Sequence, residues 1–179
     1  IEQCPTILAY GKASEIEKII STIKNNDIPL SIIEQCPTIL GQGKALEIEK
    51  IISTLKINGI PLSIIKQCPS ILGQGKALEI EEIILTLKTE GISLSIIEQC
   101  PTILAKGKAI EIEKIISTLK TKDVSLSIID QCPSILSFGK AIEIEKIIST
   151  LKNNDIPLSI IDQCPTILAQ GKAIKIEKI

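Results

Sequence analysis

The stretch Ile33-Glu34-Gln35-Cys36-Pro37-Thr38-Ile39-Leu40 decides the fold, because it returns almost unchanged every 32 residues. Its Cys-Pro pair falls at Cys4, Cys36, Cys68, Cys100, Cys132 and Cys164, with no insertion or deletion between copies. A fixed period of this length is the signature of a solenoid, in which each unit stacks only on its neighbours. The chain of 179 residues therefore reads as one elongated array over positions 1–179, five full repeats and a partial one. Neither end carries the polar capping unit that usually closes such an array, so a piece of a longer array is expected.

Composition narrows the function classes. Apolar residues make up 44% of the chain, nearly all Ile and Leu, which is enough for a continuous core. The absence of His removes the commonest general base and metal ligand. No apolar run approaches the ~18–20 residues of a membrane span, and no signal peptide is visible. We expect no catalytic residues, no metal, no cofactor and no membrane partner. Equivalent cysteines on stacked helices would lie about 8–10 Å apart, whereas a disulfide needs Cα atoms closer than about 7 Å. The cysteines are read as small buried hydrophobes. Free thiols fit an intracellular, reducing compartment, whether cytoplasm, nucleus or organelle, or delivery into a host cell.

One unit, Ile60 to Gly91, shows how the period folds. Ser63 is placed to cap a short helix, and an acidic residue three positions on in Ser31/Glu34, Ser95/Glu98, Ser127/Asp130 and Ser159/Asp162 resembles a capping box. Pro69 stops that helix, since it lacks an N–H and its ring clashes one turn back. A tight turn over Ser70-Ile71-Leu72 follows, then Gly73-Gln74-Gly75, then a longer helix from about Lys76 to Lys88. Its buried stripe is expected to comprise Ala77, Ile80, Ile84 and Leu87, widened by Leu78 and Ile83. Glu79, Glu81 and Glu82 should face solvent. Gly91 is a natural left-handed cap, replaced less comfortably by Asp27, Asp123 and Asp155. The expected fold is all-α, a right- or left-handed α-solenoid of two-helix repeats: short helix, Pro-containing tight turn, longer helix.

The columns that vary point to function. Before each Gly-Lys stands Tyr10, Gln42, Gln74, Lys106, Phe138 or Gln170, a column holding both aromatic residues of the chain, a cation and three amides. The preceding residue is always small: Ala9, Gly41, Gly73, Ala105, Ser137, Ala169. A small residue before a chemically diverse one lets backbone approach a ligand while one side chain per unit probes it. The pair represented by Asn25-Asn26, Ile57-Asn58, Thr89-Glu90, Thr121-Lys122 and Asn153-Asn154 looks instead like drift at a helix end.

After the diverse column comes Gly11-Lys12, Gly43-Lys44, Gly75-Lys76, Gly107-Lys108, Gly139-Lys140 and Gly171-Lys172. A lysine at a helix start opposes the macrodipole. Free backbone amides, the dipole and the lysine together would suit a phosphate. The bland reading is that Lys76 pairs with Glu79 one turn on. Twenty basic against 21 acidic residues, net −1, is not the basic footprint usual for nucleic-acid binding. A segregated lysine stripe would still serve, because affinity follows local phosphate neutralisation. Glu47, Glu49, Glu79, Glu81, Glu111 and Glu113 are expected on the far, outer face of the long helix.

With Ser63-Ile64-Ile65-Lys66-Gln67-Cys68-Pro69-Ser70-Ile71-Leu72 and the following Leu/Ile-rich helix ending at Gly91-Ile92, the unit resembles repeats of the mitochondrial transcription termination factor (mTERF) family, over the whole chain. The resemblance implies a curved α-solenoid binding double-stranded nucleic acid on its basic, concave side. Leu30-Ser31 leading to Gly41-Gln42 and Gly43-Lys44 is also similar to transcription activator-like (TAL) effector repeats. That second resemblance implies that the second residue of each pair faces a base and that Gly-Lys contacts phosphate. The reading is a sequence-reading nucleic-acid-binding protein with double-stranded DNA as the leading partner and single-stranded RNA, read one base per repeat, as a close variant. Gln42, Gln74 and Gln170 would pair with adenine edges, Lys106 with guanine, and Tyr10 and Phe138 would stack or meet a thymine methyl. The alternative is a protein-binding, self-associating or structural scaffold solenoid without nucleic-acid contact.

Overall fold

The computed structural model describes residues 13–169, and every element in that range is helical. The first helix, α1 (Ala13–Asn25), is followed by α2 (Ser31–Gln35), α3 (Thr38–Gly41) and α4 (Ala45–Ile57). The same trio then repeats as α5 (Ser63–Gln67), α6 (Ser70–Gln74) and α7 (Ala77–Thr89). It repeats again as α8 (Ser95–Gln99), α9 (Thr102–Lys106) and α10 (Ala109–Thr121). The last full trio is α11 (Ser127–Gln131), α12 (Ile135–Phe138) and α13 (Ala141–Asn153), and α14 (Ser159–Gln163) and α15 (Thr166–Ala169) close the described range.

The chain is thus a helical-repeat solenoid, with one refinement. The Pro-containing tight turn is itself a helical segment of four or five residues, so each unit has three helices rather than two. Proline is the cause. The residue before it is forced out of the helical region, and Cys36 and Cys68 sit at φ −141° and −139°, ψ 76° and 74°. Pro37 then starts a new helix from φ −60°, where its missing N–H is not needed.

Two layers carry the stacking. The long helices pack in series, α1 on α4, α4 on α7, α7 on α10 and α10 on α13. The second short helices pack likewise, α3 on α6, α6 on α9, α9 on α12 and α12 on α15. Between the layers lies one aliphatic core in which Ile48, Ile51, Leu55, Ile80, Ile83, Leu87, Ile112, Ile115 and Leu119 are fully buried. Each such side chain contributes about 1.5–3 kcal/mol of burial, and no polar side chain is buried among the described residues.

The long helices end as the sequence implies. Gly59 and Gly91 take φ +69° and +71°, and Asp27, Asp123 and Asp155 take +56°, +60° and +55°. In each Schellman turn the following apolar residue bonds back into the helix, as Ile60 N does to the Leu55 carbonyl at 2.9 Å.

Two expectations are corrected. Ser63 does not cap α5, and the expected capping boxes do not form. The helical turn begins earlier, with Ile64 N bonded to the Pro61 carbonyl at 3.2 Å, so Ser63 is already inside it. Where serine replaces that proline, the hydroxyls of Ser93 and Ser125 accept the amides of Ser95 and Ser127 at 3.3 Å. Leu78, expected in the buried stripe, is 68% exposed, and its counterparts Leu46, Ile110 and Ile142 are 61–63% exposed. Second in the long helix, it stands at the rim of the stack, where no neighbouring unit covers it. Among the described residues no helix is long and apolar enough to cross a membrane.

Candidate nucleic-acid interface

The diverse column and the lysine column come together. Gln42, Lys44, Gln74, Lys76 and Leu78 line one groove of about 550 Å³ between consecutive units. Lys106, Lys108, Phe138, Lys140 and Ile142 line the equivalent groove two units on. Lys106 Nζ lies 5.3 Å from the centroid of the Phe138 ring, a cation–π contact between column members of adjacent units. The tips therefore follow one another along one edge. Tyr10, Gly11, Lys12, Gln170, Gly171 and Lys172 lie outside the described residues.

Lys44, Lys76, Lys108 and Lys140 are exposed and enter none of the ion pairs among the described residues. In particular Lys76 does not pair with Glu79. The carboxylate is engaged elsewhere. Glu15, Glu47, Glu79 and Glu111 each accept the first amide of the next unit's long helix, from Ala45, Ala77, Ala109 and Ala141, at 2.7, 2.6, 2.6 and 2.8 Å. The positive end of each long-helix dipole is thus met by a carboxylate from the unit before it.

This changes the expected anion site. The Ala amides are occupied, and those of Gly43, Gly75, Gly107 and Gly139 donate to carbonyls of their own short helices at 2.9–3.3 Å. The glycine is required for packing: at Gly75 a Cβ would run into the Ile71 carbonyl oxygen. An anion on this edge would be held by lysine ammonium groups, without the glycine amides or the first helix amide. Segregation of charge is also incomplete. Glu47 lines the lysine groove and also, with Glu49 and Glu81, the surface between the long helices.

The small column has a different role from the one expected. Gly73 is buried, and a Cβ on it would stand 2.7 Å from Thr38 Oγ1 and 3.2 Å from Cys36 Sγ of the preceding unit. What the backbone approaches is its neighbour, not a ligand. Among the described residues the cysteines are free thiols, buried only at Cys68 and Cys132, and bond to hydroxyls two residues on, as Cys36 Sγ does to Thr38 Oγ1 at 3.0 Å. Among the described residues no cluster of His, Cys, Asp or Glu could hold a metal.

Sequence reasoning misses a second stitch between units. Lys56 and Lys88 reach back to Asn26 and Asn58 at 2.7 Å, and Lys120 pairs with Glu90. Where that position is Lys122, Lys152 turns to its carbonyl at 3.3 Å, and Lys122 pairs with Glu145 instead. The column that looks like drift is the acceptor end of this stitch. Its signal is the alternation of amide, acid and cation opposite an unvarying lysine. No protein-family model, no curated protein and no solved structure matches the chain.

Proposed function

We propose that this solenoid binds nucleic acid, with duplex DNA as the leading ligand, along the edge where Gln42, Gln74, Lys106 and Phe138 alternate with Lys44, Lys76, Lys108 and Lys140. The observation that carries the reading is that both columns share the same inter-unit grooves, with the lysines exposed and unpaired. The lysines neutralise phosphates one per unit, and the diverse side chains, set just beside them, contact base edges. The resemblance to mTERF and TAL effector repeats leads to the same ligand. Free thiols suit a reducing compartment, and the edge binds rather than catalyses.

Fluorescence anisotropy with labelled duplex DNA, single-stranded DNA and RNA at low salt tests this. The reading requires saturable binding, with duplex DNA tightest. Absence of binding to all of these would end it.

One observation favours a protein partner instead. Leu46, Leu78, Ile110 and Ile142 form an exposed aliphatic row on the same edge, and apolar rows of this kind mark protein-binding surfaces. Replacing all of these with serine separates the readings: it lowers nucleic-acid affinity less than removal of the lysines does under the first and abolishes partner binding under the second.

A further inference from the structure

The contact beneath Gly73 has a counterpart beneath Ser137, and along the repeats the residues at its two positions change together. Reading from one unit into the next, Thr38 faces Gly73 and Thr102 faces Ser137, and the equivalent sequence positions pair Ser70 with Ala105 and Ser134 with Ala169. The sequence pair Thr6 and Gly41 follows the same rule, though Thr6 lies outside the described residues. Threonine is followed by glycine or serine, and serine by alanine. Within a unit no such rule holds: Thr38 precedes Gly41 but Thr102 precedes Ala105, and Ser70 precedes Gly73 but Ser134 precedes Ser137.

Geometry explains the pairing. Thr38 is β-branched, so turning its hydroxyl away leaves its methyl to be accommodated. Its Oγ1 also bonds to Cys36 Sγ at 3.0 Å, which resists the turn. A Cβ at Gly73 would sit 2.7 Å from that oxygen. Serine keeps its hydroxyl on the thiol, Ser70 Oγ lying 3.2 Å from Cys68 Sγ, but lacks the methyl, so it can shift in the seam to admit the alanine Cβ. Thr102 with Ser137 is the remaining solution: the seam there opens enough to admit a Cβ, and the contact is made by a hydrogen bond, Ser137 Oγ lying 3.2 Å from Thr102 Oγ1 and 3.5 Å from Cys100 Sγ.

We infer that this seam is an interaction surface that determines which unit can follow which: a Thr-bearing face accepts a neighbour with glycine or serine, and a Ser-bearing face accepts alanine. The seam residue directly precedes the diverse residue, Gly73 before Gln74 and Ser137 before Phe138. Neighbour choice and ligand contact are therefore written in adjacent but separate positions. Point substitution at Gln74 leaves the stack intact, whereas transplanting whole units breaks it unless the seam is matched. The inference does not depend on what the edge binds.

A double-mutant cycle in the full chain tests it. Gly73→Ala alone is expected to lower the thermal midpoint by about 3 °C or more, because overpacking a close contact is costly. Adding Thr38→Ser to it should restore most of that loss, a coupling of about fivefold or greater in the unfolding equilibrium. A second cycle, Ser70→Thr with Ala105→Gly, should behave in the same way and serves if Gly73→Ala does not fold. Additive effects in the readable cycle, with the double variant no better than the single ones predict, would overturn the proposal.

Discussion

Glu79 accepts the backbone amide of Ala109, 30 residues further along the chain, at 2.6 Å. Its side chain caps a helix to which it does not belong. The bond explains how a long helix can begin at Lys108, a residue whose side chain cannot cap and whose charge opposes the dipole. Each junction is thereby held at both ends of the long helix, by the glutamate at one and by the Lys56-type stitch at the other.

Removal of this cap should be felt across the junction. Glu79→Ala is expected to destabilise the chain by about 1–2 kcal/mol, the scale of a lost helix cap to a charged acceptor. Glu79→Gln, which keeps an accepting oxygen, should cost less. Urea denaturation followed by circular dichroism measures both, and equal losses for the two variants would contradict a capping role.

The stitch at the other end is exposed and should matter less. Lys120→Ala breaks the pair with Glu90, in which the lysine is 52% exposed, and is expected to cost under about 1 kcal/mol. That small loss should shrink further in high salt. A loss as large as that of Glu79→Ala would reverse the order of the two contacts.

Asp123 holds φ +60° where two other units use glycine. Asp123→Gly is expected to stabilise the chain by about 0.5–1 kcal/mol, because it relieves a left-handed conformation that L-residues adopt at a cost. Asp123→Val should do the opposite. Thermal unfolding of the two variants against the parent decides it.

These relationships mark how far the sequence can be read. The period, the helical class, the Pro69 break and the positive φ at Gly91 and Asp123 follow from local chemistry, and the structure carries them. Glu79 and Gly73 escape local chemistry because their partners lie in the adjacent unit. Helical periodicity places Glu79 near the solvent side, and only the stacking offset brings Ala109 over it. Gly73 resembles room for a ligand because its filler, Thr38, is 35 positions away in the chain. Leu78 fits the apolar stripe by spacing, but at the second position of its helix it projects past the rim of the stack. The meeting of Lys106 with Phe138 at one edge follows from the period alone, since equivalent residues of a solenoid must line up.

Gln74, beside Lys76 in its groove, should set preference rather than overall affinity. Gln74→Ala is expected to relax discrimination at one position of a selected site by about 1–3 kcal/mol, with little change on unrelated sequences. Affinity selection of randomised duplexes by the parent and the variant measures this. Identical preferences would remove Gln74 from the reading role.

Nucleic-acid binding by this edge stands or falls with the lysine row. The decisive experiment is the salt dependence of duplex-DNA affinity for the parent and for variants in which Lys44, Lys76, Lys108 and Lys140 are changed to alanine singly and together. Phosphate contact by these lysines predicts a linear fall of log affinity with log salt, its slope shrinking by about one for each lysine removed. A slope unchanged by the complete set of substitutions, or no measurable affinity even at low salt, would contradict it.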